Sequence, residues 1–482
     1  MPQMMPNWLR QRAYLTPKRP ALFFEEKRWT FAELYEEVKR WTAALERIGV
    51  QPGDYIGVLV KNTEQAVFLI HALQQRGAVA VLLNHRLAAE ELSFQLKDSR
   101  AAFLLYDSSF ETLAKKAGKD CLIKQELSRL PLQAAANGRQ ELDLEEVCSV
   151  MYTSGTTGKP KGVMQTYGNH WWSAAGSALN LGIRETDCWI CAVPLFHISG
   201  YSILIRSVIY GMAVRLYSQF NEAKINRALQ RGEATIMSVV TAMLTRMVEQ
   251  LQGSYHPSFR CMLLGGGPAP KPLLESCAAK QIPVFQTYGM TETASQIVTL
   301  PPEYSLTKLG SAGKPLFPSQ IKIADGQNEG EILVKGPNVT AGYLRREEAN
   351  RQSFTDGWFH TGDLGRLDED GFLYVLDRRS DLIISGGENV YPAEIESVLM
   401  EHPAIAEAGV IGVPDEKWGQ VPAAFLVAKK TVDTDSLRSF CLSRLAKYKC
   451  PAHFLQVKAL PRNASKKLLR RELKAAFERE GR

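Results

Sequence analysis

Short apolar runs alternate with amphipathic segments through the first 300 residues, and no other feature narrows the architecture as much. Runs at 55–60, 79–83 and 103–106 are too short for core helices and too uniformly apolar for half-exposed strands. Each predicts a strand buried on both faces. Between the first two, Ala66, Leu69, Ile70 and Leu73 recur at helical spacing within 64–76. The alternation returns with strand candidates at 189–193, 214–217, 236–240, 261–264 and 284–287. Strands separated by helices predict an α/β fold of layered subdomains with largely parallel sheets.

After residue 315 the texture changes to short strands with glycine turns, at 320–323 and 331–334, and an Asp370-Gly371 hairpin signal. This predicts a small β-barrel-like subdomain. The last hundred residues predict a compact α+β unit. It has helices at 393–400 and 437–445, strands at 408–413, 423–427 and 453–457, and a closing basic helix at 467–480. A boundary near Arg379 and Ser380 gives a large N-terminal domain, 1–379, and a small C-terminal domain, 380–482.

The net charge of +7 is unevenly placed: residues 436–482 carry +10 and the remaining 435 sum to −3. Such a tail suits a nucleic-acid grip, a membrane-surface patch, a cationic face for a small anion, or a solvated helix face. Its few aromatics, Tyr448, Phe454 and Phe477 after Phe440, argue against a nucleic-acid partner. No run of about 18 apolar residues exists, so no membrane insertion is expected. The eight cysteines are irregularly spaced. The one C-x-x-C pair, Cys188 and Cys191, falls in a strand pattern that points them to opposite faces, and no zinc set completes it. The first twelve residues lack a secretory apolar segment, and a cytoplasmic protein is expected.

The strongest chemical signal runs from Thr153 to Gly162: Thr153, Ser154, Gly155, Thr156, Thr157, Gly158, Lys159, Pro160, Lys161 and Gly162. Glycines let backbone N–H groups approach an anion, hydroxyls add donors and lysines add charge, which suits a phosphate cradle. It is not a Walker A loop, since Thr153 stands at its first glycine and Pro160 at its Ser/Thr. Composition alone also allows a flexible turn.

The segment resembles the phosphate-binding signature of the adenylate-forming superfamily of acyl-CoA synthetases, peptide-synthetase adenylation domains and luciferases. Further signatures follow in order along the whole chain. They are Gly265-Gly266-Gly267-Pro268, Gln286 to Glu292, Gly330-Glu331 with Gly342-Tyr343, and His360-Thr361-Gly362-Asp363. Asp377 to Ser380, Gly386-Gly387-Glu388 and Pro461 to Lys467 complete the set. The resemblance implies ATP and Mg²⁺ as cofactors and CoA as co-substrate. It implies stacking of adenine on Tyr288 beside Gly265, Gly266 and Gly267, an α-phosphate contact at Thr291, and Mg²⁺ on Glu292. Ribose contacts are implied at Asp363, which taken alone reads as a turn residue, and at Arg378, while Arg379 reads as a solvated or hinge-side charge. Thr153 and Lys467 join Thr291 and Glu292 as catalytic residues. The family has glycine before its lysine where this chain has Lys466, but Pro461-Arg462 and Leu468-Leu469-Arg470 set the register on Lys467. Without the resemblance, Lys467 reads as part of a solvated basic helix.

The resemblance further implies that the C-terminal domain is a mobile cap turning about Ser380. Gly386 and Gly387 would lie on the loop presented to pantetheine. Within the superfamily the stretches Pro194 to Gly200, Leu263 to Pro270, Tyr288 to Thr299 and Asp377 to Asn389 are most similar to the 2-succinylbenzoate–CoA ligases of menaquinone biosynthesis. His197, Ser199 and Thr287 become acid-pocket candidates, His197 as a cationic or hydrogen-bonding group for a second carboxylate. A ligase for another aryl or medium-chain acid, and an adenylation enzyme loading a carrier protein, stay open. Partners are expected to be small molecules, and a homo-oligomer is compatible with the sequence.

Overall fold

A computed structural model describes residues 3–118, 123–153, 160–267, 269–326, 328–378, 381–385, 388–415, 418–430, 432–445, 447–462 and 468–479. The apolar runs of the N-terminal part form two sheets. In the first, Val147–Thr153, Val79–Leu82, Tyr55–Leu59, Phe103–Tyr106 and Ile123–Glu126 are parallel neighbours. Lys161–Thr166 and Gly342–Tyr343 add antiparallel strands at the Val147–Thr153 edge.

The second sheet has a parallel centre of Pro20–Phe24, Ala213–Leu216, Cys188–Cys191, Ile236–Val240, Cys261–Gly265 and Val284–Met290. It then turns antiparallel through Ser295–Leu300 and Ser311–Pro315. Leu373–Arg378, Trp358–Leu367, Gly330–Lys335 and Gln320–Ile323 continue the same path. The strands expected as a barrel-like unit are thus, among the described pairings, an open extension of this sheet. The Asp370-Gly371 turn joins Trp358–Leu367 to Leu373–Arg378, as its sequence requires.

Helices Phe31–Arg47, Glu64–Arg76 and Ile198–Tyr210 share one apolar core with strands of both sheets, including Ile56, Val58, Trp189 and Val214. Glu64–Arg76 differs from the one-sided stripe read in its sequence: every residue from Ala66 to Gln75 is buried. The amide N–H groups of its two buried glutamines find internal partners. Gln74 donates to the Tyr201 hydroxyl at 3.2 Å and Gln75 to Asn7 Oδ1 at 2.7 Å. Such pairing is what makes burial of amides tolerable.

From Ile383 onward the strands belong to a separate five-stranded sheet. Ile405–Asp415 and Gly419–Ala428 pair at its centre, with His453–Gln456, Ile383–Ser385 and Glu388–Val390 around them. Helices Pro392–Met400, Thr434–Leu442 and Arg470–Arg479 cover it. The last helix therefore starts three residues later than the basic pattern suggested. Among the described residues no helix is long and apolar enough to cross a membrane.

Candidate active site

Strand ends bring the nucleotide signatures together. Gly265 closes the strand Cys261–Gly265, and Gly266 takes a left-handed φ of 87°. A Cβ added at Gly265 would sit 3.3 Å from Thr287 Cγ2, so this loop lies against the strand Val284–Met290. There the Thr287 hydroxyl donates to the Val298 carbonyl at 2.9 Å, which commits it to the sheet. The next residue, Tyr288, donates its hydroxyl to Asp363 Oδ2 at 2.8 Å.

Asp363 is buried and pairs across the ladder with Arg378. Its turn is pinned from beneath. Glu331 accepts the Gly362 N–H at 2.9 Å and faces His360 Nδ1 at 3.1 Å, while Thr361 Oγ1 accepts the Asp363 N–H at 3.1 Å. Gly362 needs its φ of 71° for this bend. Two motifs separate in sequence, Gly330-Glu331 and His360 to Asp363, are one structural unit that aims a carboxylate.

The strands Val147–Thr153 and Lys161–Thr166 form an antiparallel pair. Thr153 and Lys161 are directly opposed across its two strands. Lys161 Nζ lies 4.9 Å from the centroid of the Tyr343 ring. Tyr343 in turn donates to Glu292 Oε1 at 3.0 Å. Buried Gln165, on the same hairpin strand, donates to the Thr291 carbonyl, and the Glu292 carbonyl accepts the Thr340 N–H at 2.7 Å. The Thr291–Glu292 corner is therefore sewn to both the hairpin and the 340–343 segment. Glu292 presents one buried carboxylate. Among the described residues no group of three or more His, Cys, Asp or Glu side chains could hold a metal by itself. That donor set fits Mg²⁺, which takes one or two carboxylates and completes its shell with phosphate oxygens and water.

His197, expected near the acid, holds the N-cap position of Ile198–Tyr210 without a side-chain capping bond. The bend before it is tight: a Cβ at Gly200 would meet the Pro194 carbonyl oxygen at 2.3 Å. Asn62 fixes this bend, accepting the Leu195 N–H at 2.9 Å and donating to the Val193 carbonyl at 2.9 Å. Burial, with Arg86 and His85 adding, pushes His197 down to about 4. It is thus a neutral donor at ordinary pH rather than a cation. Ser199 is exposed, and its carbonyl accepts the Ser202 hydroxyl. Among the described residues no hydrogen bond joins His197 or Ser199 to the nucleotide cluster.

A cation that the sequence reading passed over lies in the same helix. Arg206 is 2% exposed, and its Nε has no hydrogen-bond partner among the described residues. Nη1 and Nη2 reach only neutral groups, Gln296 Oε1 and Ser173 Oγ, each at 3.4 Å. Its guanidinium lies 5.5 Å from the Trp189 ring centroid. Burial lowers its pKa. The signal was present: one arginine between Ile203-Leu204-Ile205 and Ser207-Val208. Ser154, Gly155, Thr156, Thr157, Gly158, Lys159, Ser380, Gly386, Gly387 and Lys467 lie outside the described residues, as does the side chain of Arg378.

A family profile described as AMP-binding enzyme matches residues 9–344, and one described as AMP-binding enzyme C-terminal domain matches 394–467. The chain belongs to the AMP-binding enzyme family. It is 58% identical over 479 residues to a 2-succinylbenzoate–CoA ligase of Geobacillus kaustophilus, covering 98% of this chain and 97% of the relative. Two solved structures of o-succinylbenzoate CoA synthetase from Bacillus subtilis share its fold. The complex with the acyl-adenylate OSB-AMP has a TM-score of 0.94 at 54% identity, covering 98% of each chain. The complex with ATP and magnesium ion has a TM-score of 0.93 at 53% identity, covering 98% of this chain and all of the other.

Proposed function

We propose that this AMP-binding enzyme is an acyl-CoA synthetase converting 2-succinylbenzoate, ATP and CoA into 2-succinylbenzoyl-CoA, AMP and pyrophosphate, in menaquinone biosynthesis. The observation that carries this reading is near-full-length likeness to ligases of that name. Arg206 adds support. After one carboxylate of 2-succinylbenzoate is adenylated, the second keeps its charge, and a buried guanidinium with an unbonded Nε and neutral neighbours is a ready counter-charge.

In the first step the substrate carboxylate attacks the α-phosphorus of ATP in line, and the bond to pyrophosphate breaks. Both reactants are anions, so the protein's task is positioning and charge compensation. Residues 154–159, with Thr153 and Lys161 at the hairpin base, would cradle the phosphates. Tyr288 and the Gly265–Gly267 loop would flank adenine, while Asp363 and Arg378 take the ribose. Thr291 would contact the α-phosphate, and Lys467 would bridge it to the attacking carboxylate. Mg²⁺ held on Glu292 would neutralise charge on the phosphate oxygens. In the second step the CoA thiol attacks the acyl carbon and AMP leaves. The cap, residues 380–482, would turn about Ser380 between the steps and present Gly386 and Gly387 to pantetheine.

An acid panel with purified enzyme, ATP and CoA tests the reading through AMP release. 2-Succinylbenzoate should exceed benzoate and medium-chain acids in kcat/KM by at least about tenfold, the worth of one charged hydrogen bond. No CoA-dependent AMP release with any aryl acid would overturn it.

A further inference from the structure

Arg470 opens the helix Arg470–Arg479, three residues beyond Lys467. A cation in a first turn opposes the helix dipole, so helix formation does not explain it. Its guanidinium instead ties together three other parts of the cap. Nε donates to the Val410 carbonyl at 3.0 Å, Nη2 to Glu396 Oε1 at 2.8 Å, and Nη1 to Asp381 Oδ2 at 3.3 Å. The Arg470 side chain is 14% exposed, and Glu396 and Asp381 are 17% and 24% exposed. Glu396 also accepts the Val410 N–H at 2.8 Å, which fixes its own rotamer. A planar guanidinium can serve three such acceptors at once, and an ammonium cannot do so with the same geometry.

Asp381 follows Ser380 directly. Arg470 therefore joins the chain just past the proposed hinge to the chain just past the proposed catalytic lysine. The described residues on either side of 463–467 are also joined to each other. Arg462 pairs with Leu468 in an isolated bridge and with Glu407 at 2.5 Å, and the Leu469 N–H donates to the Pro461 carbonyl at 2.9 Å.

We propose that Arg470 is a positioning residue for Lys467, coupling the lysine's segment to the hinge so that both turn as one body. The proposal rests on the roles given above to Lys467 and Ser380. Acid-dependent ATP–pyrophosphate exchange reads adenylation alone. Thioester formation from supplied 2-succinylbenzoyl-adenylate and CoA reads the second step alone. Arg470→Gln should lower exchange by about tenfold to a hundredfold, the effect of misplacing a catalytic group by an ångström. Thioester formation should stay within about twofold, since Lys467 has left the site by then. Asp381→Asn keeps the side chain's shape and serves where Arg470→Gln folds poorly. It should give the same split with an unchanged melting midpoint. Lys467→Ala is the reference and should abolish exchange only. Equal loss of both half-reactions in both variants would overturn the positioning role. So would undiminished exchange in both while Lys467→Ala blocks it. Full exchange in Lys467→Ala would instead overturn the reading of Lys467, and the positioning role with it.

Discussion

Arg206 is a buried cation whose described hydrogen-bond partners are all neutral. Burying a guanidinium costs several kcal/mol unless a partner charge offsets it, and its partners here are an amide and a hydroxyl. Replacement by an apolar side chain of similar length should therefore separate stability from function. Arg206→Met is expected to raise the melting midpoint, and to raise the KM for 2-succinylbenzoate by roughly 10–100-fold, the worth of a charged hydrogen bond. Acids with a single carboxylate should lose much less. Parallel melting and steady-state assays with 2-succinylbenzoate and benzoate check both halves. At this scale the sequence was most legible where chemistry is local. Two motifs read from short segments, those of Tyr288 and Asp363, do meet. The pairing of Tyr343 with Glu292, 51 residues apart, and the burial of Arg206 depend on how distant segments pack. A lone arginine in an apolar helix reads equally well as a charge reaching to water.

The elements themselves followed the apolar runs closely, because a strand buried on both faces has little freedom in register. Differences arose where partners are remote. Val284–Met290 runs three residues past its apolar stretch because Ser295–Leu300 folds back to pair with it. Glu64–Arg76 is buried all round because helices and sheets enclose it. The junction after helix Tyr167–Leu181 shows how an element end is fixed. Arg260 donates to the Leu181 and Gly182 carbonyls and forms a 2.5 Å ion pair with Asp187, whose side chain is 1% exposed. Burial acts to raise the Asp187 pKa, but Arg260 and Thr235 hold it below the usual value. Asp187→Ala would leave Arg260 without its counter-charge. It should cost about 3–5 kcal/mol in urea denaturation, the penalty for breaking a buried pair from one side.

Across the whole molecule, the core between the two sheets carries two histidines that burial keeps neutral, as it does His197. His71 is pushed down to about 4 and His170 to about 3, each 2% exposed. The unfolded chain titrates these near 6.5, so it binds more protons than the folded one below that pH. Their contribution is fully present above about pH 6.5 and is lost as pH falls toward the folded values. These two alone should lower stability by up to about 3 kcal/mol per pH unit between pH 6 and 4. Urea midpoints at several pH values measure this slope, and His71→Gln should make it shallower. The change of texture along the chain matches the separate sheet that begins at Ile383, whereas the contact between the two sheets' units left no trace in the sequence. Tyr391 of the five-stranded unit donates to Glu329, just ahead of the strand Gly330–Lys335, at 3.0 Å and 62 residues away. The seven described cysteines are all buried, and burial raises Cys188, Cys191, Cys261 and Cys277 to about 12. Cys450, drawn down to about 7 by its hydrogen bond from Cys441, is shielded in the cap's core. The native thiols thus leave the surface open to site-directed dyes. With Cys121 replaced by serine, maleimide fluorophores on Glu249→Cys and Lys474→Cys, both exposed positions, make a two-colour ruler. Energy transfer between them would time the turning proposed for residues 380–482 in single molecules, one catalytic cycle after another.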